Sequence, residues 1–150
     1  MSDENRNCEQ PEKGIANFRV NSPDIRIPQR ATPGSAGYDF YAPERIIVPA
    51  HSDRTFDTGI YSEIDPGYVL LLLPRSGLGM KGIRLANTVG VIDSDYRNEI
   101  RCKLVNDSDA DITIEKDDRY MQGIFVRYGL ITDDKPINNE RKGGMGSTGK

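Results

Sequence analysis

Short runs of β-forming residues, each followed by turn residues, limit most strongly what this chain can fold into. Helical periodicity is scarce, and Gly, Pro, Asn and Asp punctuate the runs, as at Asp65–Gly67 and Asn106–Asp109. Many short strands with regular turn signals predict an all-β sandwich, barrel or jelly roll. The predicted strands are Tyr38–Tyr41, Arg45–Val48, Arg54–Tyr61, Tyr68–Leu73, Glu99–Val105, Asp111–Glu115 and Gly123–Ile131.

One predicted strand, Glu99–Val105, indicates its own buried face. Apolar residues alternate there with basic ones, so we expect Ile100, Cys102 and Leu104 to face the core. The other cysteine, Cys8, lies in a polar N-terminal stretch, and a disulfide between the two is not expected. This cysteine usage favours a reducing, cytoplasmic setting, or the interior of a host cell for a viral protein.

The length of 150 residues predicts one domain with a tail at each end. We expect residues 1–16 to be a disordered tail, 17–131 to form the β domain, and 132–150 to form a mobile C-terminal arm. The N-terminus lacks the apolar stretch of a signal peptide, and no apolar run is long enough to cross a membrane. The net charge of −3 argues against a general nucleic-acid binder.

The strongest local signal is Asn87–Ile100, "NTVGVIDSDYRNEI", in which an apolar stretch runs into two acids and a tyrosine. It predicts a β-hairpin with the acids near its bend. The spacing of Asp93 and Asp95 suggests a calcium loop, but Arg97 and Asn98 break the EF-hand pattern. Two interpretations stay open, a solvated turn and a carboxylate at the lip of a pocket that takes a proton from water.

The second signal is Leu70–Gly82, where a buried strand ends at Pro74 because proline has no N–H to donate. Arg75, Ser76 and Gly77 follow, and their backbone N–H groups, guanidinium and hydroxyl suit an anion nest. The alternative is an ordinary strand exit, where the arginine meets a surface acid.

Two further stretches place polar side chains beside predicted strands. In Ser35–Glu44, Asp39 stands between aromatic residues and suits either a turn or a partner for an arginine. In Asp117–Val126, Arg119 and Gln122 precede an apolar strand, although the charges there also suit a solvated bend. With one histidine and no cysteine cluster, a Ser-His-Asp triad or a zinc site finds little support.

The chain closes on Gly143–Lys150, "GGMGSTGK", which matches most of a P-loop. A P-loop needs a following helix, and no strand-to-helix unit surrounds this stretch. We therefore expect a glycine-rich arm here and not a P-loop.

Taken in order, five stretches resemble the five motifs of the homotrimeric dUTP pyrophosphatases (dUTPases). They are "AGYDFYAP", "PRSGLG", "NTVGVIDSDYRNEI", "DRYMQGIFV" and "GGMGSTG", spanning Ala36 to Gly149. The resemblance implies a β jelly roll or distorted β-barrel, assembled as a homotrimer with active sites at subunit interfaces. It implies hydrolysis of dUTP to dUMP and pyrophosphate, which limits uracil incorporation into DNA and supplies dUMP for dTMP synthesis.

The resemblance also implies residue roles. Asp93 would be the general base that activates water, and Tyr96 would pack under the deoxyribose. The uracil edge would be met by Asn87, Gly90, Val91, Ile92 and Arg101. Phosphates or water would be held by Arg75, Ser76, Gly77, Gln122, Arg141, Gly146, Ser147 and Thr148, with Asp39, Asp95 and Arg119 in support. Met145 would cover the uracil ring. Mg²⁺ would be held chiefly by the triphosphate and water, with no direct protein ligand.

The fifth motif departs from the family pattern, because Met145 stands where an aromatic residue usually stacks on the uracil, and Arg141 is the counterpart of the usual arginine. Gly123 likewise replaces a bulkier apolar residue in the fourth motif. Two alternatives accompany the hydrolase, and the unusual fifth motif keeps the first of them open. One is a nucleotide-binding regulatory protein on the dUTPase fold with weak catalysis, and the other is a relative that deaminates dCTP.

Overall fold

The computed structural model describes residues 14–142, which form antiparallel β-sheets with one four-residue helix in that range. The predicted all-β class is confirmed. The elements are β1 (Ala16–Val20), β2 (Gln29–Arg30), β3 (Tyr38–Tyr41), β4 (Ile46–Val48), β5 (Asp53–Asp57), β6 (Ile60–Ile64), β7 (Tyr68–Pro74), α1 (Ser76–Gly79), β8 (Ile83–Leu85), β9 (Gly90–Ile92), β10 (Arg101–Asn106), β11 (Ile112–Ile114) and β12 (Arg119–Arg127).

Two sheets position the site. The larger has the strand order β2-β3-β12-β7-β9, and the smaller has the order β5-β10-β8. Two strand pairs, β1 with β6 and β4 with β11, complete the described sheets. Within the described residues, no helix is long and apolar enough to span a membrane.

The core lies between the inward faces of these sheets. Phe40 and Leu70 come from the five-stranded sheet, and both are fully buried. Ile100, Cys102 and Leu104 are also buried, which confirms the alternation predicted for this strand. Each fully buried large apolar side chain contributes about 1.5–3 kcal/mol, so this cluster is a main source of stability.

Core packing explains why glycine stands at position 123, the unusual residue of the fourth motif, in the centre of the larger sheet. A Cβ atom there would lie 2.8 Å from Leu70 Cδ1 and 3.1 Å from Phe40 Cε2. The neighbouring core side chains fill the space that a larger residue at this position would need.

The prediction of one strand over Arg54–Tyr61 is wrong, because the chain breaks into β5 and β6 at Thr58 and Gly59. Gly59 has a φ of +76°, a left-handed conformation that suits glycine. The two strands then join different partners, β10 and β1 respectively. The last strand also differs, since it runs over Arg119–Arg127 and not Gly123–Ile131.

The predicted hairpin within Asn87–Ile100 is also wrong. β9 pairs with β7 in the larger sheet, whereas β10 pairs with β5 and β8 in the smaller one. The acids therefore lie on a crossing segment between two sheets, not at the bend of a paired ribbon. Strands β1, β2 and β8 fall outside the predicted runs.

Candidate active site

A first cavity of about 390 Å³ lies where β9, β10 and the crossing segment meet. Its walls include predicted residues from the third motif, the arginine that follows this motif, and one residue from the C-terminal segment, namely Asn87, Gly90, Val91, Ile92, Asp93, Tyr96, Arg101 and Arg141. The structure thus brings residues of the 87–101 stretch and Arg141, which are distant in sequence, around one space.

The floor of the first cavity is apolar, and its residues had no assigned role in the sequence. Leu72 and Met121, from β7 and β12, are buried beneath it. Gly90 lies directly opposite Leu72, and a Cβ at Gly90 would come within 3.0 Å of the Leu72 Cβ. Glycine at this point lets the cavity wall approach the floor closely. The sequence predicted Leu72 as strand interior and placed Met121 just before the predicted strand Gly123–Ile131. Only the strand register shows that both residues line a site.

Tyr96 forms a fixed wall of the first cavity. Its ring is 6% exposed, and its hydroxyl donates a hydrogen bond of 2.8 Å to the Glu99 carbonyl oxygen. Burial raises the pKa of the Tyr96 phenol, while the charges of Arg101 and Arg141 oppose that rise. The ring is therefore a neutral, buried and hydrogen-bonded surface at neutral pH.

Two carboxylates stand at the rim, and one arginine joins them. Asp93 directly follows β9, and the side chains of Asp93 and Asp95 are 53% and 61% exposed. Arg141 donates from Nε to Asp95 Oδ1 at 2.8 Å and from Nη2 to Asp93 Oδ2. Its guanidinium also lies 5.9 Å from the centroid of the Tyr96 ring. The hydrogen bond with Asp95 is the largest cause that raises the pKa of Arg141.

Asp57, which the sequence motifs do not predict as a site residue, holds Arg101 at the cavity wall. Asp57 on β5 lies opposite Arg101 on β10, and its Oδ1 accepts a 2.8 Å hydrogen bond from Arg101 Nε. This bond raises the pKa of the guanidinium. Opposite charges at facing positions of two paired strands indicate a cross-strand ion pair. This signal could have identified Asp57 only if the pairing of β5 with β10 had been known.

A second cavity of about 370 Å³ brings together residues of the first, second and fourth motifs. Asp39, only 8% exposed, lies 3.0 Å from Arg75 Nε and 3.6 Å from Arg119 Nη1. Ser76 and Gln122 also line this cavity. Two guanidinium groups offset the cost of burying one carboxylate, and they leave a net positive surface.

Pro74 and Gly37 together define the position of Gln122 beside the second cavity. Its Nε2 donates a 3.2 Å hydrogen bond to the Pro74 carbonyl oxygen, at the end of β7. A Cβ at Gly37 would lie 2.6 Å from Gln122 Oε1, so the glycine leaves room for the amide. Gly77, predicted with Arg75, lies in α1 and is not among the residues that line the cavity.

The two cavities lie on opposite faces of the five-stranded sheet. Met121 lines the first and Gln122 the second, and consecutive strand residues point to opposite faces. One chain therefore does not bring all the predicted site residues to one space. Four further predicted residues, Met145, Gly146, Ser147 and Thr148, lie outside the described residues.

Comparison with known proteins gives concordant matches. The dUTPase family profile matches residues 23–149. The deoxyuridine 5'-triphosphate nucleotidohydrolase of Nautilia profundicola is 40% identical over 129 residues, 83% of this chain and 91% of that protein. The crystal structure of the dUTPase from Streptococcus mutans has a TM-score of 0.68 and 34% identity, and the match covers 76% of this chain and 97% of that one. A dUTPase from phage phi11 of S. aureus, described with a coordinated structural Mg(II) ion, shares the fold with a TM-score of 0.72 and 21% identity over 84% of this chain and 99% of that one.

Proposed function

Because this chain belongs to the dUTPase family, we propose that it hydrolyses dUTP to dUMP and pyrophosphate. One observation carries the proposal: Asp93 stands at the rim of a cavity whose walls include Tyr96 and the third-motif backbone. Such an activity would limit uracil incorporation into DNA and would supply dUMP for dTMP synthesis.

The first cavity would take the uracil and the deoxyribose. Asn87 and the backbone of Gly90 and Val91 offer donors and acceptors to the base edge, and Leu72 and Met121 give an apolar floor. A cavity of this kind discriminates by shape and by paired hydrogen bonds, so thymine's methyl and cytosine's exchanged donors would fit poorly. The flat, buried ring of Tyr96 would pack under the sugar and leave no room for a 2'-hydroxyl.

Asp93 would act as the general base. Its carboxylate would accept a proton from a water whose oxygen attacks the α-phosphorus. The bond from the α-phosphorus to the bridging oxygen would break, and pyrophosphate would leave. The half-exposed position of Asp93 supports this role, because a water molecule can reach the carboxylate at the edge of the cavity.

The phosphates would be held by the second cavity of a neighbouring copy. Arg75 and Arg119 supply guanidinium groups suited to phosphate oxygens, and Gln122 would hold the water or a phosphate oxygen. Since these groups lie on the sheet face opposite the first cavity, a complete site needs residues from more than one chain. This geometry supports a homotrimer with sites at its subunit interfaces.

Mg²⁺ is the proposed cofactor. Within residues 14–142, no three side chains among His, Cys, Asp and Glu come together as a metal site. We propose that the ion is held mainly by nucleotide phosphates and water, as Mg²⁺ commonly is. When bound, the ion would neutralise phosphate charge.

The decisive experiment measures pyrophosphate release from dUTP, dTTP, dCTP and UTP, with and without Mg²⁺. We expect release from dUTP alone, and its loss in Asp93→Asn with dUTP binding retained. Ammonia release from dCTP would instead support the deaminase. Binding of dUTP without turnover in the unaltered protein would support a regulatory protein.

A further inference from the structure

The break between β5 and β6 lies against the chain segment that borders the first cavity. We call residues 58–60 the junction. Thr58 is fully buried, and its Oγ1 donates a 2.7 Å hydrogen bond to the Ile100 carbonyl oxygen and accepts one of 3.1 Å from the Ile60 N–H. The Gly59 N–H donates to Glu99 Oε1 at 2.7 Å. Side chains as well as backbone groups therefore fasten the junction to residues 99 and 100.

The backbone of Ile100 is bonded to the junction through both of its polar groups. Its carbonyl oxygen also accepts a 3.0 Å bond from the Thr58 N–H, and its own N–H donates to the Ile60 carbonyl oxygen at 2.9 Å. Thr58, Ile60 and Ile100 are all buried. These bonds lie in the interior of one chain, so contacts between copies of the chain do not have to form or break them.

Glu99 extends this hold to Tyr96. Its carbonyl oxygen accepts the 2.8 Å hydrogen bond from the Tyr96 hydroxyl, while its carboxylate accepts the bond from the junction. Arg101 stands two residues further along the chain, and its partner Asp57 directly precedes the junction. The junction therefore lies behind two walls of the first cavity, although it is not among the residues that line it.

We propose that Thr58 and Glu99 are positioning residues that fix the depth of the Tyr96 ring in the first cavity, and that this depth sets the discrimination between deoxyribose and ribose. The consequence for the sugar rests on the proposed function of the first cavity, whereas the hold on Tyr96 does not. A pocket that rejects one added hydroxyl by fit needs its wall at a definite place, because a small displacement opens room for the extra atom.

Loss of the Thr58 hydroxyl would move the ring through the backbone. The Ile60 N–H would be left buried without its acceptor, which is unfavourable enough for the backbone to shift. Because Ile60 also accepts from Ile100, the shift is passed along the chain to the carbonyl that holds the Tyr96 hydroxyl. Loss of the Glu99 carboxylate would loosen the same carbonyl, because that carboxylate fastens the residue to the junction.

Two substitutions at Thr58 separate the hydroxyl from the shape of the side chain. Thr58→Val keeps the branched shape and loses the hydroxyl, whereas Thr58→Ser keeps the hydroxyl. The measurement is the ratio of kcat/KM for dUTP to kcat/KM for UTP, with enough enzyme to detect slow turnover of UTP. We expect this ratio to fall about 10-fold in Thr58→Val and to stay within about twofold of the parent's in Thr58→Ser. Ile46→Val, a core change on β4 that lines neither cavity, controls for lost stability and should leave the ratio unchanged.

A second pair of variants tests the same hold if Thr58→Val does not fold. Glu99→Leu and Glu99→Gln both remove the charge of a partly exposed side chain, but only glutamine keeps an acceptor for the Gly59 N–H. The ratio should fall in Glu99→Leu and stay near the parent's in Glu99→Gln. An unchanged ratio in folded Thr58→Val overturns the proposal, as does an equal fall in Thr58→Ser or Ile46→Val. If Thr58→Val does not fold, equal ratios in the two Glu99 variants overturn it.

The hold on Tyr96 also has a readout that needs no turnover. When ring-carbon-labelled tyrosine is observed by NMR in equal parts of light and heavy water, a slowly exchanging hydroxyl gives two signals and a freely exchanging one gives a single average. The signals that disappear in Tyr96→Phe belong to Tyr96. We expect two signals in the parent and in Thr58→Ser, and one in Thr58→Val. One signal in the parent, or two in Thr58→Val, overturns the hold. If dUTP is not hydrolysed, the proposed function fails, while these signals still decide whether Thr58 positions Tyr96.

Discussion

Met121 and Gln122, consecutive residues of β12, line two different cavities on opposite faces of the same sheet. Met121 lies under the cavity that carries Asp93, and Gln122 lies beside the cavity that carries Arg75. This alternation divides the predicted site residues of one chain into two groups.

The division predicts complementation between two inactive variants. Asp93→Asn and Arg75→Ala should each lose pyrophosphate release from dUTP. When the two are unfolded together in equal amounts and refolded, roughly a quarter of the shared sites receive both intact residues, and activity should return to that extent. The control is refolding each variant alone, and no recovery in the mixture would mean that each chain uses its own residues.

The Asp39 ion pairs predict a loss in phosphate binding. Asp39→Asn leaves Arg75 and Arg119 without the buried carboxylate that holds them, so their guanidinium groups lose their shared position. We expect kcat/KM for dUTP to fall by about 10-fold or more. Asp109→Asn is a suitable control, because that acid pairs with His51 on the exposed surface. An unchanged kcat/KM in Asp39→Asn would separate this residue from the site.

The all-β class and the buried face of β10 could be predicted because they depend on local residue pattern, as the alternation of Cys102 and Lys103 shows. The partners of a strand depend on distant contacts. No local pattern in or next to Asn87–Ile100 indicates that β9 pairs with β7 and that β10 pairs with β5. The residue pattern alone therefore predicts a hairpin for this segment. The sequence does not predict the break at Gly59 either, because a single glycine also occurs inside continuous strands.

Motif matching predicted most of the side chains around the first cavity, since their spacing is local. It did not predict Asp57, because the pair with Arg101 spans 44 positions and requires the strand register. The contact from Arg141 to Asp95 spans 46 positions and requires the path of an irregular segment, which no periodicity defines.

The tight packing around Gly123 predicts that a larger residue at this position destabilises the fold. In Gly123→Val, the new side chain must displace Leu70 or Phe40, and overpacking of this kind costs about 1–3 kcal/mol. The free energy of unfolding in urea should fall accordingly. Gly129→Val should change it little, because nothing lies within 4 Å of a Cβ at Gly129. Equal effects in the two variants would show that packing around β12 is not the cause.

The Asp57 pair predicts a small, separable effect on binding. Asp57→Asn removes the acceptor that fixes Arg101 at the cavity wall, so KM for dUTP should rise about two- to fivefold. Because both side chains are more than half exposed, the free energy of unfolding should change by less than about 1 kcal/mol. Asp53→Asn, which loses only the 3.6 Å contact with Lys103, is the control on the same strand pair. A KM that stays constant in Asp57→Asn would contradict the role of this pair.

Cys102 predicts a pH dependence of stability. Burial raises the pKa of its thiol from 9.0 to about 12, so the folded protein keeps the proton at pH values where the unfolded chain loses it. Below pH 9 both states are protonated and the thiol adds no pH dependence, whereas stability falls between about pH 9 and about 12. From pH 8 to 10, the unfolding free energy should fall by about 1 kcal/mol more in the parent than in Cys102→Ala. A Cys8→Ser background removes the other thiol, and equal losses in the two proteins would contradict the raised pKa.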